Sequence, residues 1–180
     1  IGLAGNPNIP LVKQLTAAVK QLDPEAAKYV HLGATSQDVI DTALILQVKA
    51  ALLLIQKDLE QLLNQLHHLA ETHRHSIMAG RSFLQHARPI TFGYKVATWM
   101  DGLIRSTQRI EQVLQYNLVL QFGGAVGTLA GFGEKALPVA QNLAQNLDLA
   151  LPSISWHTQR DRLVEVASAL GILTGNLGKI

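Results

Sequence analysis

The sequence predicts an all-α fold of long antiparallel helices, and three observations carry that prediction. Between Ala34 and Ala79 there is neither Gly nor Pro, so nothing in roughly 40 residues forces a helix to stop. Within that stretch Ile45, Val48, Leu52, Ile55, Leu59, Leu62, Leu66 and Leu69 step alternately by three and four, the seam of a helical bundle or coiled coil. No alternation with the two-residue period of strands competes with these helices anywhere in the chain.

Residues 1–34 carry Pro7, Pro10 and Pro24, with an amphipathic piece from Leu11 to Leu22 between them. Asp23-Pro24 reads as a turn in which the proline opens a one-turn helix, Glu25 to Tyr29. This segment is expected to be the tail of an N-terminal helical domain, and residues 35–180 the first part of a central long-helix bundle domain. Thr35, with Asp38 three places on, supplies an N-cap and an acidic first turn for the long helix. Uninterrupted, that helix would run on the order of 55 Å. Leu44, Leu46, Ala50, Leu53 and Leu54 lie off the seam, so the first half is expected to be surrounded on all sides.

The cations His73-Arg74-His75 suit the negative end of the helix dipole. His67, Glu71 and His75 fall four apart on one face. They lack an evident fourth ligand, and a solvated helix end accounts for them without a metal. Gly80 to Gly93 reads as a polar connector. From Pro89 a second helix is expected to reach about Phe122, with Val96, Met100, Leu103, Ile110 and Leu114 along one side and Gly102 marking a close helix contact. The glycine-rich run Gly123 to Gly133 contains neither GxGxxG nor a phosphate-loop Gly-Lys-Ser/Thr, and reads as a flexible turn beside a ligand. A short helix, Glu134 to Leu147, a loop at Pro152, and a last helix opened by Trp156 to Arg162 complete the chain.

Composition narrows the function. The apolar share is 48%, whereas Asp, Glu, Lys and Arg make up 16% of the 180 residues, against about 25% in an average soluble domain. So little charge leaves helix surface to be covered by other subunits or by further sequence, as expected of a fragment of a larger subunit. A net charge of +2 gives no basic stripe for nucleic acid. The absence of Cys excludes disulfides and thiolate chemistry. Leu52 to Ile55 is bracketed by Lys49, Lys57 and Asp58, far short of the ~20 apolar residues of a membrane span. No membrane, no nucleic acid and a cytoplasmic address are the expectations.

Three polar clusters interrupt the apolar helices: His31 with Thr35 and Ser36, Arg81 to Arg88, and Trp156 to Arg162. A helix start offers N–H groups to an anion, and arginine forks grip carboxylates in pairs, so the three together suit a polycarboxylate. Taken singly, Thr35 is equally a plain cap, and Arg160-Asp161-Arg162 a structural ion-pair network.

The run His31-x-Gly-x-Thr35-Ser36-x-Asp38-x-x-Asp41-Thr42-Ala43, then Gly80-Arg81-Ser82 through Pro89-x-Thr91-x-Gly93, then Gly124-Ala-Val-Gly-Thr128 resembles the fumarase/aspartase superfamily. Gln85-His86-Ala87 and Trp156-His-Thr-Gln-Arg-Asp-Arg162 are most similar to its 3-carboxy-cis,cis-muconate cycloisomerase branch. The resemblance implies a homotetramer whose active sites draw residues from three subunits, and a lactonisation that needs no metal or organic cofactor. It implies His31, Thr35, Ser36, Arg81, Trp156 and Arg160 as substrate-binding residues, with His86, Ser82 and Gln85 as catalytic ones. The lyases of the superfamily read Gly-Arg-Thr-His where this chain has Gly80-Arg81-Ser82-Phe83, so their histidine is absent and His86 is the nearest imidazole. The alternative for His86 is a buried, hydrogen-bonded structural role. The superfamily's Gly-Ser-Ser-x-Met-Pro loop does not occur in this chain, so the 180 residues alone are expected to be inactive. Two other readings stay open, an adenylosuccinate lyase-like enzyme and a non-enzymatic helical assembly module.

Overall fold

A computed structural model describes residue 2 and residues 5–180; Ile1, Leu3 and Ala4, at the head of the expected N-terminal tail, lie outside the described residues. The elements in order are α1 (Asn8–Leu22), a 3-10 turn (Ala26–Tyr29), α2 (Ser36–Thr72), β1 (Ile77–Ser82), β2 (Gln85–Thr91), α3 (Phe92–Tyr116), a 3-10 segment (Ala130–Lys135), α4 (Ala136–Asn146) and α5 (Asp161–Leu177). The chain is predominantly helical, as the apolar spacing predicts. It divides into two compact units, one of residues 1–49 and 118–161, the other of residues 50–117 and 162–180.

Helix α2 has the expected seam: Ile45, Leu52, Leu59 and Leu66, one every seven residues, are each at most 5% exposed, and Val48, Ile55, Leu62 and Leu69 between them are half-buried. Each buried side chain of this size contributes about 2 kcal/mol. Off the seam the outcome differs. Leu44, Leu53 and Leu54 are exposed, Leu54 to 67%, so this chain alone does not surround the first half of α2.

In the first unit, Asn6 caps α1 by accepting from the backbone N–H of Asn8 (2.8 Å) and Ile9 (3.3 Å). The Asp23 carboxylate does the same for the 3-10 turn, accepting from Glu25 and Ala26 N–H. The segment after α3 is extended: Leu118, Val119, Leu120 and Gln121 are all buried, and Leu120 N–H donates to the Ala150 carbonyl at 2.9 Å. The expected second helix therefore stops at Tyr116, six residues before Phe122. Thr42 Oγ on α2 locks this segment by donating to the Gln121 carbonyl (2.8 Å) and accepting its N–H (3.1 Å).

The second unit holds the main departure from the sequence reading. Residues 77–91 form an antiparallel hairpin where a polar connector is expected from Gly80 to Gly93, and α2 ends at Thr72, short of Ala79. Ile77 pairs with Thr91, Met78 with Ile90, Ala79 with Pro89, Arg81 with His86 and Ser82 with Gln85, with an irregularity between Ala79 and Arg81. Gly80 sits at that irregularity, where a Cβ would lie 2.5 Å from the Arg88 carbonyl oxygen. The tip residues Phe83 and Leu84 have φ of 49° and 61°, the left-handed pair of a two-residue hairpin turn that Asn-Gly usually supplies. Thr91 then caps α3, its hydroxyl accepting Tyr94 N–H at 3.1 Å. Val96, Leu103, Ile110 and Val113 form the buried stripe of α3. Asn176 on α5 donates to the Gly102 carbonyl (3.1 Å) and Ser106 Oγ (2.9 Å), the close contact that Gly102 predicts.

Candidate active site

In the first unit the polar residues converge on Asp38, which is 2% exposed. One carboxylate oxygen accepts the backbone N–H of Thr35 (3.0 Å) and of Gly124 (2.9 Å). The other accepts Gly123 N–H (3.0 Å) and Gln121 Nε2 (3.2 Å), and meets His157 Nε2 at 2.7 Å. A buried charge is tolerable only when its lone pairs are this fully engaged. The result ties the first turn of α2 to the glycine loop. Gly124 has φ of 72°, and a Cβ there would meet the Gly33 carbonyl at 2.8 Å, so the loop can approach the helix start only as glycine.

His157 connects onward. Its Nδ1 is 3.2 Å from Ser155 Oγ, which also accepts from Gln121 Nε2 at 2.8 Å. Ser155 presses against the loop, since a Cβ on Gly123 would lie 2.4 Å from its hydroxyl oxygen. It also lines a cavity of about 250 Å³ together with Gly127, Thr128, Leu129 and Leu151.

One turn along α2, Asp41 is also buried and receives Arg160 in a two-pronged grip, Nη1 to Oδ2 at 2.7 Å and Nη2 to Oδ1 at 2.9 Å. The hydrogen bonds that Arg160 donates to Asp41 raise the guanidinium pKa above its ordinary value, with burial opposing and the charge of Asp41 assisting. Arg160 therefore pairs with Asp41, not with its neighbour Asp161. Trp156 is 2% exposed. Its indole N–H donates to the Leu120 carbonyl at 3.0 Å, and the Arg160 guanidinium lies 5.2 Å from its ring centre. Trp156, expected to bind substrate, is here packed within the chain with Arg160 stacked on its ring.

His31 has φ of 61°, and its Nε2 lies 3.0 Å from Asn8 Nδ2, which also donates to Ser36 Oγ at 3.3 Å. Asn8 thereby links two of the expected substrate-binding residues, while its own carbonyl oxygen is buried without a partner.

The structure places the remaining candidates in the second unit. Arg81, Ser82, Gln85 and His86 all lie on the hairpin and are exposed, so a buried structural role for His86 does not hold in this chain. Cross-strand pairing sets Arg81 opposite His86 and Ser82 opposite Gln85, two adjacent pairs next to the tip that face opposite sides of the ribbon. Among the described residues no three His, Asp or Glu side chains are arranged to hold a metal. Asp38, Asp41, Gln121, Ser155, His157 and Asn8 are the site residues that sequence reasoning did not single out. Asp38, Asp41 and His157 stand inside the motifs quoted above, and Asp38 reads there only as the acidic first turn of the long helix.

Comparison with known proteins matches this geometry. A lyase family profile matches residues 8–180. The 3-carboxy-cis,cis-muconate cycloisomerase of Pseudomonas aeruginosa is 54% identical over 99% of this chain and 39% of its own length. Trans-aconitate decarboxylase 1 of Mycosarcoma maydis is 42% identical over 99% of this chain and 36% of its own. The crystal structure of the 3-carboxy-cis,cis-muconate lactonizing enzyme from Pseudomonas putida superposes with a TM-score of 0.96 at 52% identity, covering 99% of this chain and 41% of that one. The chain spans about two fifths of the length of these relatives. Profile, fold and order of motifs agree: the chain belongs to the lyase family of the fumarase/aspartase superfamily.

Proposed function

We propose that the complete protein containing this chain is a cycloisomerase that converts 3-carboxy-cis,cis-muconate to 4-carboxymuconolactone in the catabolism of protocatechuate. The observation that carries the reading is the likeness to cycloisomerases at about half identity across 99% of the chain. Replacement of the lyases' Thr-His by Ser82-Phe83 supports it over an adenylosuccinate lyase-like reaction, which needs that histidine.

In this reaction a carboxylate oxygen attacks the diene of its own molecule, the new C–O bond closes the lactone, and a proton is added at the neighbouring carbon. The site must hold three negative charges, fold the diene, and stabilise charge that develops before protonation. Thr35, Ser36 and His31 at the start of α2 and Arg81 on the hairpin bind the carboxylates. His86 exchanges the proton, an imidazole being able both to give and to take one, with Ser82 and Gln85 beside it on the hairpin. Trp156 and Arg160 support the substrate-binding end through Asp41. The complete protein is a cytoplasmic homotetramer whose sites combine residues of several subunits, with residues 1–34 as the tail of its N-terminal domain. No helix of the described residues is long and apolar enough to cross a membrane.

The test is the ultraviolet absorbance of 3-carboxy-cis,cis-muconate mixed with the complete protein, with adenylosuccinate alongside. Loss of the diene signal is expected, with Arg81→Ala and His86→Ala each slowing it about 10²-fold while folding is kept. Cleavage of adenylosuccinate with no change in the muconate would overturn the substrate. Lost assembly without any effect on a ligand would favour the scaffold.

A further inference from the structure

The polycarboxylate reading leaves an electrostatic difficulty at the start of α2. The turn that would hold a trianion already carries the buried carboxylate of Asp38, whose oxygen accepts the Thr35 N–H. A fixed negative charge there opposes the ligand in surroundings that screen poorly. The cation facing it closely is His157, when protonated: Nε2 lies 2.7 Å from Asp38 Oδ1, with 18% of the His157 side chain exposed. Arg160 and Asp41 offset one another, and His31, whose Nε2 lies 3.0 Å from Asn8 Nδ2, is the other titratable group at the α2 start. Arg160 is paired with Asp41 through both prongs and reaches only the His157 backbone carbonyl, at 3.4 Å. The segment that brings Gln121, Gly123 and Gly124 to Asp38 contributes no titratable side chain.

The surroundings of His157 accommodate both charge states. With the ring neutral, Nε2–H donates to Asp38 and Nδ1 accepts the Ser155 hydroxyl proton. With the ring protonated, Nδ1–H donates to the same oxygen, because a hydroxyl can reverse its role. Taking up a proton therefore breaks no hydrogen bond to Asp38, and both states keep the clamp on Gly123 and Gly124.

We propose that His157 is a positioning residue whose protonation cancels the charge of Asp38 and so tightens the hold of the α2 start and the glycine loop on a polycarboxylate. The inference rests on the reading of the substrate as a polycarboxylate. It places no bond-making role on His157. It assigns to this residue the pH dependence of substrate binding, as distinct from that of the chemical step.

The experiment uses the complete protein, as wild type and as His157→Gln, whose amide keeps a donor toward Asp38 but takes up no proton. Thermal melting checks that both fold, and kcat and KM for 3-carboxy-cis,cis-muconate are measured from pH 5.5 to 8.5. In the wild type KM is expected to fall about tenfold toward acid, the order expected of one compensated charge near the ligand. In His157→Gln KM is expected to stay high and to keep only the shallower pH dependence that His31 and the ligand contribute, while kcat changes less than about threefold. Equal pH dependence of KM in the two proteins, or none in either, overturns the inference. If the wild type does not turn over the muconate at any pH, the substrate reading has failed. Calorimetric binding of propane-1,2,3-tricarboxylate then decides the positioning role. The ligand's own titration cancels between the two proteins, so affinity that rises toward acid more steeply in wild type supports the role, and identical profiles or no binding reject it. If His157→Gln fails to fold, His157→Asn replaces it under the same criteria, and failure of both to fold assigns His157 to structure and overturns the proposal.

Discussion

At the scale of single residues, Asp38 has the most to lose. Asp38→Asn turns an NH2 group toward backbone N–H donors that it cannot satisfy, leaving buried donors unpaired on one side or the other of the side chain. The expected destabilisation is about 3 kcal/mol, read as a lower urea midpoint. Asp148 behaves in the opposite way. Its side chain is 94% exposed, and the Lys49 ammonium, first by hydrogen bonding and then by its charge, lowers the Asp148 pKa below its ordinary value. With the folded value below the unfolded one, the pair stabilises above the unfolded value of about 3.9 and its contribution fades as pH falls through the folded value. Urea midpoints of wild type and Asp148→Asn should therefore differ slightly at neutrality and converge under acid or high salt. The Thr35 cap was legible because its partner stands three residues away. The hub around Asp38 was not, because Gly123 and His157 lie 85 and 119 residues along the chain, and no local pattern announces a partner at that distance.

At the scale of elements, the helices were legible and the hairpin was not. Apolar side chains repeating every three or four residues mark a helix whatever surrounds it, and the α2 seam is buried where its period requires. The hairpin offers no such mark. Its strands read Ile-Met-Ala-Gly-Arg-Ser and Gln-His-Ala-Arg-Pro-Ile-Thr, largely exposed and with little alternation. Its turn is made by Phe83-Leu84, two apolar residues in a conformation that costs roughly 1 to 2 kcal/mol for each. Pro89 in β2 is tolerated because a two-stranded ribbon has free edges, so its reading as a helix start misled. Two glycines test the helix contacts. A Cβ on Gly93 would lie 2.4 Å from the Ala70 carbonyl and 2.7 Å from Arg74 Cα, whereas one on Gly171 meets nothing within 4 Å. Gly93→Ala is expected to destabilise by about 2 kcal/mol through overpacking. Gly171→Ala, inside α5, should stabilise by up to ~1 kcal/mol. Denaturant midpoints of the two variants should move in opposite directions.

At the scale of the whole molecule, sparse charge and exposed leucines point the same way. Leu53 and Leu54, on the first half of α2, are 50% and 67% exposed in a chain with 16% charged residues. In the proposed tetramer these side chains are expected to be covered by other subunits. A Leu53→Glu, Leu54→Glu variant of the complete protein should sediment as a smaller species than wild type. Unchanged sedimentation would place the contact elsewhere. The Asp38 hub also has a consequence in time. Ribosomes deliver the chain from its N-terminus, and the first turn of α2 emerges long before residues 157–160, which face its two aspartates. At about 5–20 residues per second, the separation of 119 residues leaves both carboxylates without His157 and Arg160 for roughly 6 to 24 s. Until Gln121, Gly123 and Gly124 follow, the head of the long helix is held by local capping alone, and the hub closes only with His157 and Arg160.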